Sequence, residues 1–205
     1  MPTLSRRRAP SKGDRREQAI LDVAREALQH RSLASLTVDE LAGGAGISRS
    51  SFYFYFESKS AVLTALLDGL SAELAAENSP WLDGTGPDEP ALRAALHHSV
   101  ELWRTSGGLL RQANAVVGTG NELDRWRSAV VERGVRRLTA RIERDRAAGW
   151  GVGAPAAASL ARMTSALRNA TLAEYAGVVP AEQLVDDLVV AMTRLLYGEI
   201  PPATV

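Results

Sequence analysis

The stretch TVDELAGGAGISRSSFYFYFESKSAVL, residues 37–63, decides the fold of the N-terminal part of this chain. Thr37, followed three residues later by Glu40, forms a capping box, which predicts that a helix begins after Thr37. A short turn follows, and Gly46 within it suits the positive φ of a sharp chain reversal. Ser48 can then cap a second short helix. Two short helices joined by a glycine-containing turn predict a helix-turn-helix.

Amphipathic helices are predicted on both sides of this motif. Upstream, Asp14 and Glu17 form an N-terminal capping pair, and apolar residues recur every three or four positions, which is typical of a helix with one buried face. These residues are Ala19, Ile20, Val23, Ala24, Ala27 and Leu28. Downstream, Ser58 can cap a longer helix over residues 59–77. The sequence therefore predicts a three-helix domain over residues 14–60.

The remainder of the chain shows only helical periodicity. Residues 78–90 are rich in Pro, Gly and Asp and are predicted to be a loop. Further helices are predicted near residues 91–105, 107–117, 121–147, 155–176 and 181–197. No stretch alternates with period two for long enough to indicate a strand. The expected architecture is all-α, with the helix-turn-helix domain followed by a helical domain over residues 61–205.

The composition excludes several classes of protein. With no Cys among 205 residues, the chain cannot form disulfides, thiolate zinc sites or a cysteine nucleophile. No run of eighteen apolar residues is present, so no transmembrane helix is predicted. The basic N-terminus also lacks the apolar stretch of a secretory signal. We therefore expect a cytoplasmic protein with no membrane partner.

The formal net charge of zero conceals a basic N-terminus. The first sixteen residues carry six basic side chains and one acidic side chain. Residues 1–13 lack any period and are predicted to be a disordered basic arm. Either this segment is a solubilising tail or its charge adds non-specific affinity for a polyanion. The arginines that would supply this affinity are Arg6, Arg7, Arg8, Arg15 and Arg16.

The outer side of the second short helix in the motif is predicted to carry Arg49, Ser50, Tyr53 and Phe54. N-terminal residues of such a helix reach base edges in the major groove of DNA. Arg49 can bond O6 and N7 of guanine bidentately, whereas Ser50 is less selective. The alternative is ordinary packing of two helices, but aromatic side chains exposed beside an arginine are costly unless a partner covers them. Double-stranded DNA is therefore the expected partner.

The stretch over residues 37–63 resembles the N-terminal domain of the TetR family of transcriptional regulators. Its Thr, Leu-Ala, Ala-Gly-Ile-Ser, Phe-Tyr-x-Tyr-Phe and Ser-Lys elements match in register, and the resemblance extends over about residues 14–70. It implies a repressor that contacts bases through Arg49 and Ser50. The phosphate contacts it implies are those of Thr37, Ser51, Tyr53, Tyr55 and Lys59, and Ser48 at the helix cap completes the predicted DNA-binding set. A mycobacterial subgroup that the chain resembles in particular has Pro-Thr in place of Ser50-Ser51.

The last two helices carry more apolar residues than a single buried face requires. In the final helix these residues form two neighbouring stripes: Leu184, Leu188, Ala191 and Leu195, and beside them Val185, Val189, Met192 and Leu196. A helix that is apolar over a wide arc is buried on two sides. Either this helix is central to a large core or, as the resemblance implies, the last two helices pair with their two-fold mates. We expect a homodimer that presents two recognition helices to a pseudo-palindromic site.

A ligand cavity is expected in the C-terminal domain. The residues predicted to line it are Leu92, Leu96, Ser99, Trp103, Trp126, Val130, Ser165, Arg168 and Asn169. A mostly apolar pocket with a few convergent polar groups suits a small lipophilic effector that carries an amide, ester or carboxylate. The alternative for each tryptophan is an ordinary core position. The effector is expected to tilt the helix over residues 59–77 and thereby release the DNA.

Two other functions are weighed against this one. An enzyme lacks support because the adjacent residues His97 and His98 point to different sides of a helix, and the acidic pair Asp186-Asp187 is likewise split. No catalytic residue, metal site or cofactor is predicted. The remaining alternative is a ligand-blind dimeric DNA-binding protein that regulates by its abundance. A filled C-terminal domain would favour that alternative, and a cavity would favour a sensor.

Overall fold

The computed structural model describes residues 11–115, 120–153 and 155–198, and within these ranges it contains helices and no strand. The nine α-helices there are α1 (Lys12–His30), α2 (Val38–Gly44), α3 (Arg49–Tyr55), α4 (Lys59–Glu77), α5 (Ser79–Asp83), α6 (Glu89–Asn114), α7 (Glu122–Ala147), α8 (Ala157–Tyr175) and α9 (Ala181–Tyr197). A short 3₁₀ turn over Leu33–Ser35 lies between α1 and α2. The predicted all-α class is confirmed.

The first of two compact units ends at Leu66 and contains α1, α2, α3 and the start of α4. Its core includes Ile20, Leu41, Phe52 and Leu63, each at most 1% exposed. The helix-turn-helix consists of α2 and α3, which begin directly after Thr37 and Ser48, the two residues predicted to cap them. The arrangement of an amphipathic α1 packed against this motif is therefore as expected.

The N-terminal boundary differs from the prediction. Helix α1 begins at Lys12, and its cap is Ser11, whose hydroxyl accepts the Asp14 N–H at 3.1 Å while the Asp14 carboxylate accepts the Ser11 N–H at 2.8 Å. Asp14 is thus the third residue of the helix rather than its cap, and residues 12–13 are helical rather than part of an arm. Of the rest of the predicted arm, the structure describes only Ser11, and residues 1–10 lie outside the described residues. The division between the units also falls after Leu66 instead of after residue 60.

The second unit begins at Leu67 and is built around α6, α7, α8 and α9. Helix α6 packs against α9, and α7 packs against α8. Residues predicted to be loop contain the short helix α5, which places Trp81 in the core with 3% exposure. The two helices predicted near 91–117 form one helix with a kink at Ser106, where φ is −124°. Residues 116–117 of that prediction lie outside the described part of the chain.

A buried ion pair joins α7 to the end of α9 and to the loop before α6. Arg141 is fully buried, and its Nε lies 3.2 Å from Oδ2 of Asp145. The Tyr197 hydroxyl donates to that same oxygen at 2.7 Å, and the Gly86 N–H donates to Oδ1 at 2.7 Å. The guanidinium also lies 4.8 Å from the ring centre of Trp81. Burial raises the pKa of Tyr197 to about 12, so the phenol remains a donor at neutral pH.

The apolar stripes of α9 are largely accounted for within the chain. Leu184, Leu188 and all four residues of the second stripe are buried, because α9 packs against α6. The large hydrophobic side chains that stay exposed on the last two helices are fewer: Met163, Leu167, Tyr175, Val190 and Leu195. Among the described residues no helix is both long and apolar enough to cross a membrane.

Candidate functional site

The first helix of the helix-turn-helix is fixed by its predicted capping box. The Thr37 hydroxyl accepts the Glu40 N–H at 3.2 Å, and the Glu40 carboxylate accepts the Thr37 N–H at 2.8 Å. Arg31 also donates to Glu40 at 3.0 Å. The hydrogen bonds from Arg31 and Thr37 lower the pKa of Glu40, because they stabilise its ionised form. Helix α2 is therefore joined to the end of α1 beside Thr37, the residue for which the resemblance implies a phosphate contact.

The turn and the cap after it set the direction of α3. Gly46 adopts a φ of +67°, the left-handed conformation that glycine accepts without steric cost. Ser48 then caps α3, because its hydroxyl accepts the Ser51 N–H at 3.1 Å. The Ser48 hydroxyl also lies 2.9 Å from the hydroxyls of Ser50 and Ser51. Three serine hydroxyls thus cluster at the start of the recognition helix.

Helix α3 divides cleanly into a buried face and an exposed face. Phe52 is fully buried and Phe56 is 7% exposed, which anchors the helix in the first unit. The opposite side, which we call the reading face, consists of Arg49, Ser50, Tyr53 and Phe54. Phe54 is 84% exposed and Tyr53 is 47% exposed. Such aromatic exposure on one short helix indicates a surface that a partner covers.

Arg49 is held in position by two neighbours. Its guanidinium forms an ion pair with Asp39 on α2, and its Nη2 donates to the Tyr53 hydroxyl at 3.3 Å. The Asp39 carboxylate raises the pKa of Arg49, mainly through charge attraction. The sequence alone did not predict this contact. The contact joins residues ten positions apart, and only the turn at Gly46 brings them together.

Lys59 makes contacts that the sequence did not predict. Its ammonium group donates to the backbone carbonyls of Leu36 at 2.8 Å and Ala34 at 3.2 Å. An ammonium has three donors, so one N–H of Lys59 remains for a phosphate. Tyr55 is half-buried, and its ring meets that of Phe54 edge-on at 5.3 Å between centres. Tyr55 therefore lies beside the reading face, and Lys59 lies against the segment that precedes α2.

A cavity of about 220 Å³ lies in the second unit. Its apolar wall includes Leu74, Trp81, Val130 and Leu138. Its polar lining comprises Ser71, Asn78, Arg133, Arg137, Ser165, Arg168 and Asn169. A mainly apolar cavity with a few convergent polar groups has the character of a small-molecule site.

Four of the nine residues predicted to bind a ligand line this cavity. They are Val130 on α7 and Ser165, Arg168 and Asn169 on α8. The other five do not line it, and their ligand contacts stay predictions. Leu92, Leu96 and Ser99 are buried in the core that α6 forms with α9, and Ser99 donates to the carbonyl of Ala95. Trp103 packs against the same core, and Trp126 donates from Nε1 to Asp68 at 2.7 Å.

Other residues of the cavity were missed because their elements were misread or their faces were unknown. Trp81 and Asn78 fall in the segment predicted to be a loop, although Pro80 near the start of α5 is a helix-start signal. Arg137 reaches Asp83 at 3.2 Å and Ser79 at 2.9 Å. Arg133 has no feature in the sequence that separates it from the solvated arginines of α7.

The chain is similar to known proteins over nearly its whole length. The family model described as bacterial regulatory proteins, tetR family, matches residues 20–66. The HTH-type transcriptional regulator EthR of Mycobacterium tuberculosis is 34% identical over 200 residues, which span 95% of this chain and 93% of that protein. Salmonella enterica GusR superposes with a TM-score of 0.77 at 17% identity, covering 91% of this chain and 97% of that one. AibR, solved with isovaleryl coenzyme A and operator DNA, superposes with a TM-score of 0.66 at 15% identity, covering 90% of this chain and all of that one.

Proposed function

The chain belongs to the TetR family and is a helix-turn-helix transcriptional regulator rather than an enzyme, and on this basis we propose that it is a dimeric repressor released from its operator by a small effector. The observation that carries the proposal is the reading face on α3, where Phe54 and Tyr53 are exposed beside Arg49. Serine and tyrosine donors lie on and beside this face, and the ammonium of Lys59 lies against the segment before α2. Such a set can both position a helix on phosphates and read base edges.

The roles of the individual residues follow from their surroundings. Arg49 and Ser50 would face bases in the major groove, because they open the recognition helix. Thr37, Ser51, Tyr53, Tyr55 and Lys59 would contact phosphates, and Ser48 would hold the helix start in position. The ion pair with Asp39 limits the conformations of Arg49 before DNA is bound. A side chain that is already oriented loses less conformational entropy when it binds.

An anisotropy titration of duplexes from the DNA that flanks the chain's own gene tests this function. We expect binding that is roughly 10³-fold or more tighter than to a scrambled duplex, and that weakens steeply with salt. Equal affinity for the flanking and scrambled duplexes, tested across the whole flanking region, would contradict a local operator. The two recognition helices of the dimer would lie about 34–36 Å apart, or a multiple of this distance, and would set the spacing of the two half-sites of the operator.

Dimerisation through α8 and α9 is supported by the apolar residues that the chain leaves exposed there. Met163 is 46% exposed, Leu167 is 38% exposed and Val190 is 48% exposed. A homodimer with C2 symmetry would cover these side chains with their own copies. A two-fold arrangement would also supply two recognition helices for one operator.

The variant Val190→Glu tests this interface. We expect it to weaken the dimer by roughly a hundredfold or more, because an unpaired carboxylate would be buried there. Sedimentation velocity over a range of protein concentrations measures the change. Val178→Glu is the matched control, because Val178 is 79% exposed and lies outside both helices. Equal effects of the two variants would contradict the proposed interface.

The cavity supports control by an effector over a ligand-blind protein that acts by its abundance. It lies beside residues of α4, α5, α7 and α8 in the second unit. A ligand can shift an equilibrium only by its difference in affinity for the two states, typically about 1–3 kcal/mol. An effector in this cavity that weakens operator binding about 5- to 150-fold would match that range.

A further inference from the structure

The polar lining of the cavity is cationic and contains no acidic side chain. Arg133, Arg137 and Arg168 line it, and none of the lining residues is Asp or Glu. Arg137 is compensated, because Asp83 lies 3.2 Å from its guanidinium. Arg133 is exposed and remains in contact with solvent. Arg168 is half-buried in the lining and, among the described residues, has no ion-pair partner.

Among the residues that the structure describes, the only hydrogen-bond partner of the Arg168 side chain is a neutral group. Among the described residues its hydrogen-bond partner is Oδ1 of Asn169, 3.3 Å from Nε and 3.2 Å from Nη2. No described carboxylate forms an ion pair with it. Burial lowers the pKa of Arg168, because desolvation disfavours the charged form. An arginine nevertheless stays protonated in a protein, so this site holds a charge that a bound anion would stabilise.

The groups around Arg168 complete an anion site. Because Oδ1 of Asn169 accepts from the arginine, the amide of Asn169 presents its NH₂ group as a donor. Ser165 lies three residues before Arg168, about one helical turn earlier on α8, and lines the same cavity. Hydrogen bonds to charged groups are roughly twice as strong as neutral ones, and a guanidinium suits a planar carboxylate or a phosphate.

The remainder of the cavity is mainly apolar, with Ser71 and Asn78 as its other polar lining residues. Trp81 is 3% exposed in its packed position on α5, and Leu74 and Val130 complete the wall around it. The volume of about 220 Å³ lies below the range of about 300–1,000 Å³ for pockets that hold drug-sized ligands. The site therefore fits a small ligand with a hydrocarbon body.

We propose that the effector is a small amphipathic anion, with an apolar body against Trp81 and a carboxylate or phosphate head bound by Arg168. This inference rests on the proposed function, because it names the ligand class of the same regulator. It excludes a neutral lipophilic amide as the preferred ligand. Arg168 thus determines specificity for charge, while the apolar wall supplies affinity that does not depend on charge.

A series of ligands that share one chain tests the proposal. Full-length protein is titrated with octanoate, octyl phosphate and octanamide by calorimetry. We expect at least one anion to bind roughly 10- to 100-fold tighter than octanamide. The tighter of the two anions identifies the head group. Octanamide binding as tightly as both anions, or no binding by either anion, would overturn the proposal.

The variant Arg168→Met separates a charge contact from a structural role. Met keeps an apolar stem of similar length, so we expect octanamide to bind as before while the preference for the anion disappears. Arg136→Met is the matched control, because Arg136 is exposed on α7 and is not part of the lining. Loss of octanamide and anion binding in parallel, or an unchanged preference, would contradict the role of Arg168.

The operator duplex distinguishes this inference from the function on which it rests. If the anion binds as expected but operator affinity does not change, the proposal that an effector releases the operator is contradicted, whereas the anion site at Arg168 is supported. If octanamide releases the operator and outcompetes the anions, the regulator stands and the anion site is wrong. Circular dichroism and thermal unfolding of Arg168→Met confirm that the comparison uses folded protein.

Discussion

Replacing Asp145 with alanine is expected to lower the free energy of unfolding by about 3–5 kcal/mol, as is typical when one partner of a buried ion pair is removed. Asp145 is 3% exposed and accepts hydrogen bonds from Tyr197 and from the backbone of Gly86. Its loss would leave the fully buried Arg141 without a counter-charge. The Nη1 group of Arg141 already lacks a hydrogen-bond partner, so little remains to compensate it. Urea unfolding followed by circular dichroism measures the change.

Two further variants keep this prediction testable if Asp145→Ala does not fold. Tyr197→Phe removes the hydroxyl that donates to Asp145 and accepts from Arg141 but leaves the ion pair, so we expect a smaller loss of about 1–3 kcal/mol. Glu143→Ala is the matched control, since Glu143 is an exposed acidic residue on the same helix. Its effect is expected to stay within about 0.5 kcal/mol. A loss for Asp145→Ala no greater than that for Glu143→Ala would show that the buried pair contributes little.

Replacing Arg49 with alanine is expected to remove most of the sequence preference of the protein. A bidentate contact between arginine and guanine is worth about 1–3 kcal/mol for each site, and a dimer would make two such contacts. The expected loss at the operator is therefore roughly 30-fold to 10⁴-fold, with a much smaller loss on a scrambled duplex. Anisotropy titrations of both duplexes at fixed salt measure the ratio.

Arg25→Ala controls for the loss of positive charge, because Arg25 is exposed on α1 and lies outside the reading face. We expect it to weaken both duplexes equally. The variant Asp39→Asn tests whether the ion pair positions Arg49. It removes a negative charge near DNA, so non-specific affinity should rise while the operator preference falls. Equal losses on both duplexes for Arg49→Ala would instead indicate a phosphate contact.

The helix-turn-helix was predictable because its signals are local. The capping residues Thr37 and Ser48 lie within three residues of the groups that they satisfy, and Gly46 provides the positive φ at the turn. The same reasoning located α7 and α9 to within about a residue of their observed ends. The α1 cap was misplaced because Ser11 and Asp14 share the capping box, and either can be read as the first residue.

The cavity was less predictable, because a helical period gives the faces of a helix but not its neighbours. Residues Leu92 and Leu96 have the spacing of a pocket wall, yet α9 covers them. Whether a face of α6 meets a cavity or another helix depends on contacts between elements some ninety residues apart. The short helix α5 was missed for a related reason. It is only five residues long, so its stability comes from burying Trp81 rather than from periodicity.

The sequence by itself determined the all-α class, the limits of the recognition helix and the residues on its exposed face, because caps, turns and periodicity act over a few residues. Only the tertiary structure decided which charges meet. It joined Arg49 to Asp39, enclosed Arg141 with Asp145, and left Arg168 in a cavity with a neutral partner. It also explains Gly44, where a Cβ would come within 2.8 Å of the Val23 side chain. Such pairings depend on how the helices pack, and the distance between two helices is set by all the side chains between them.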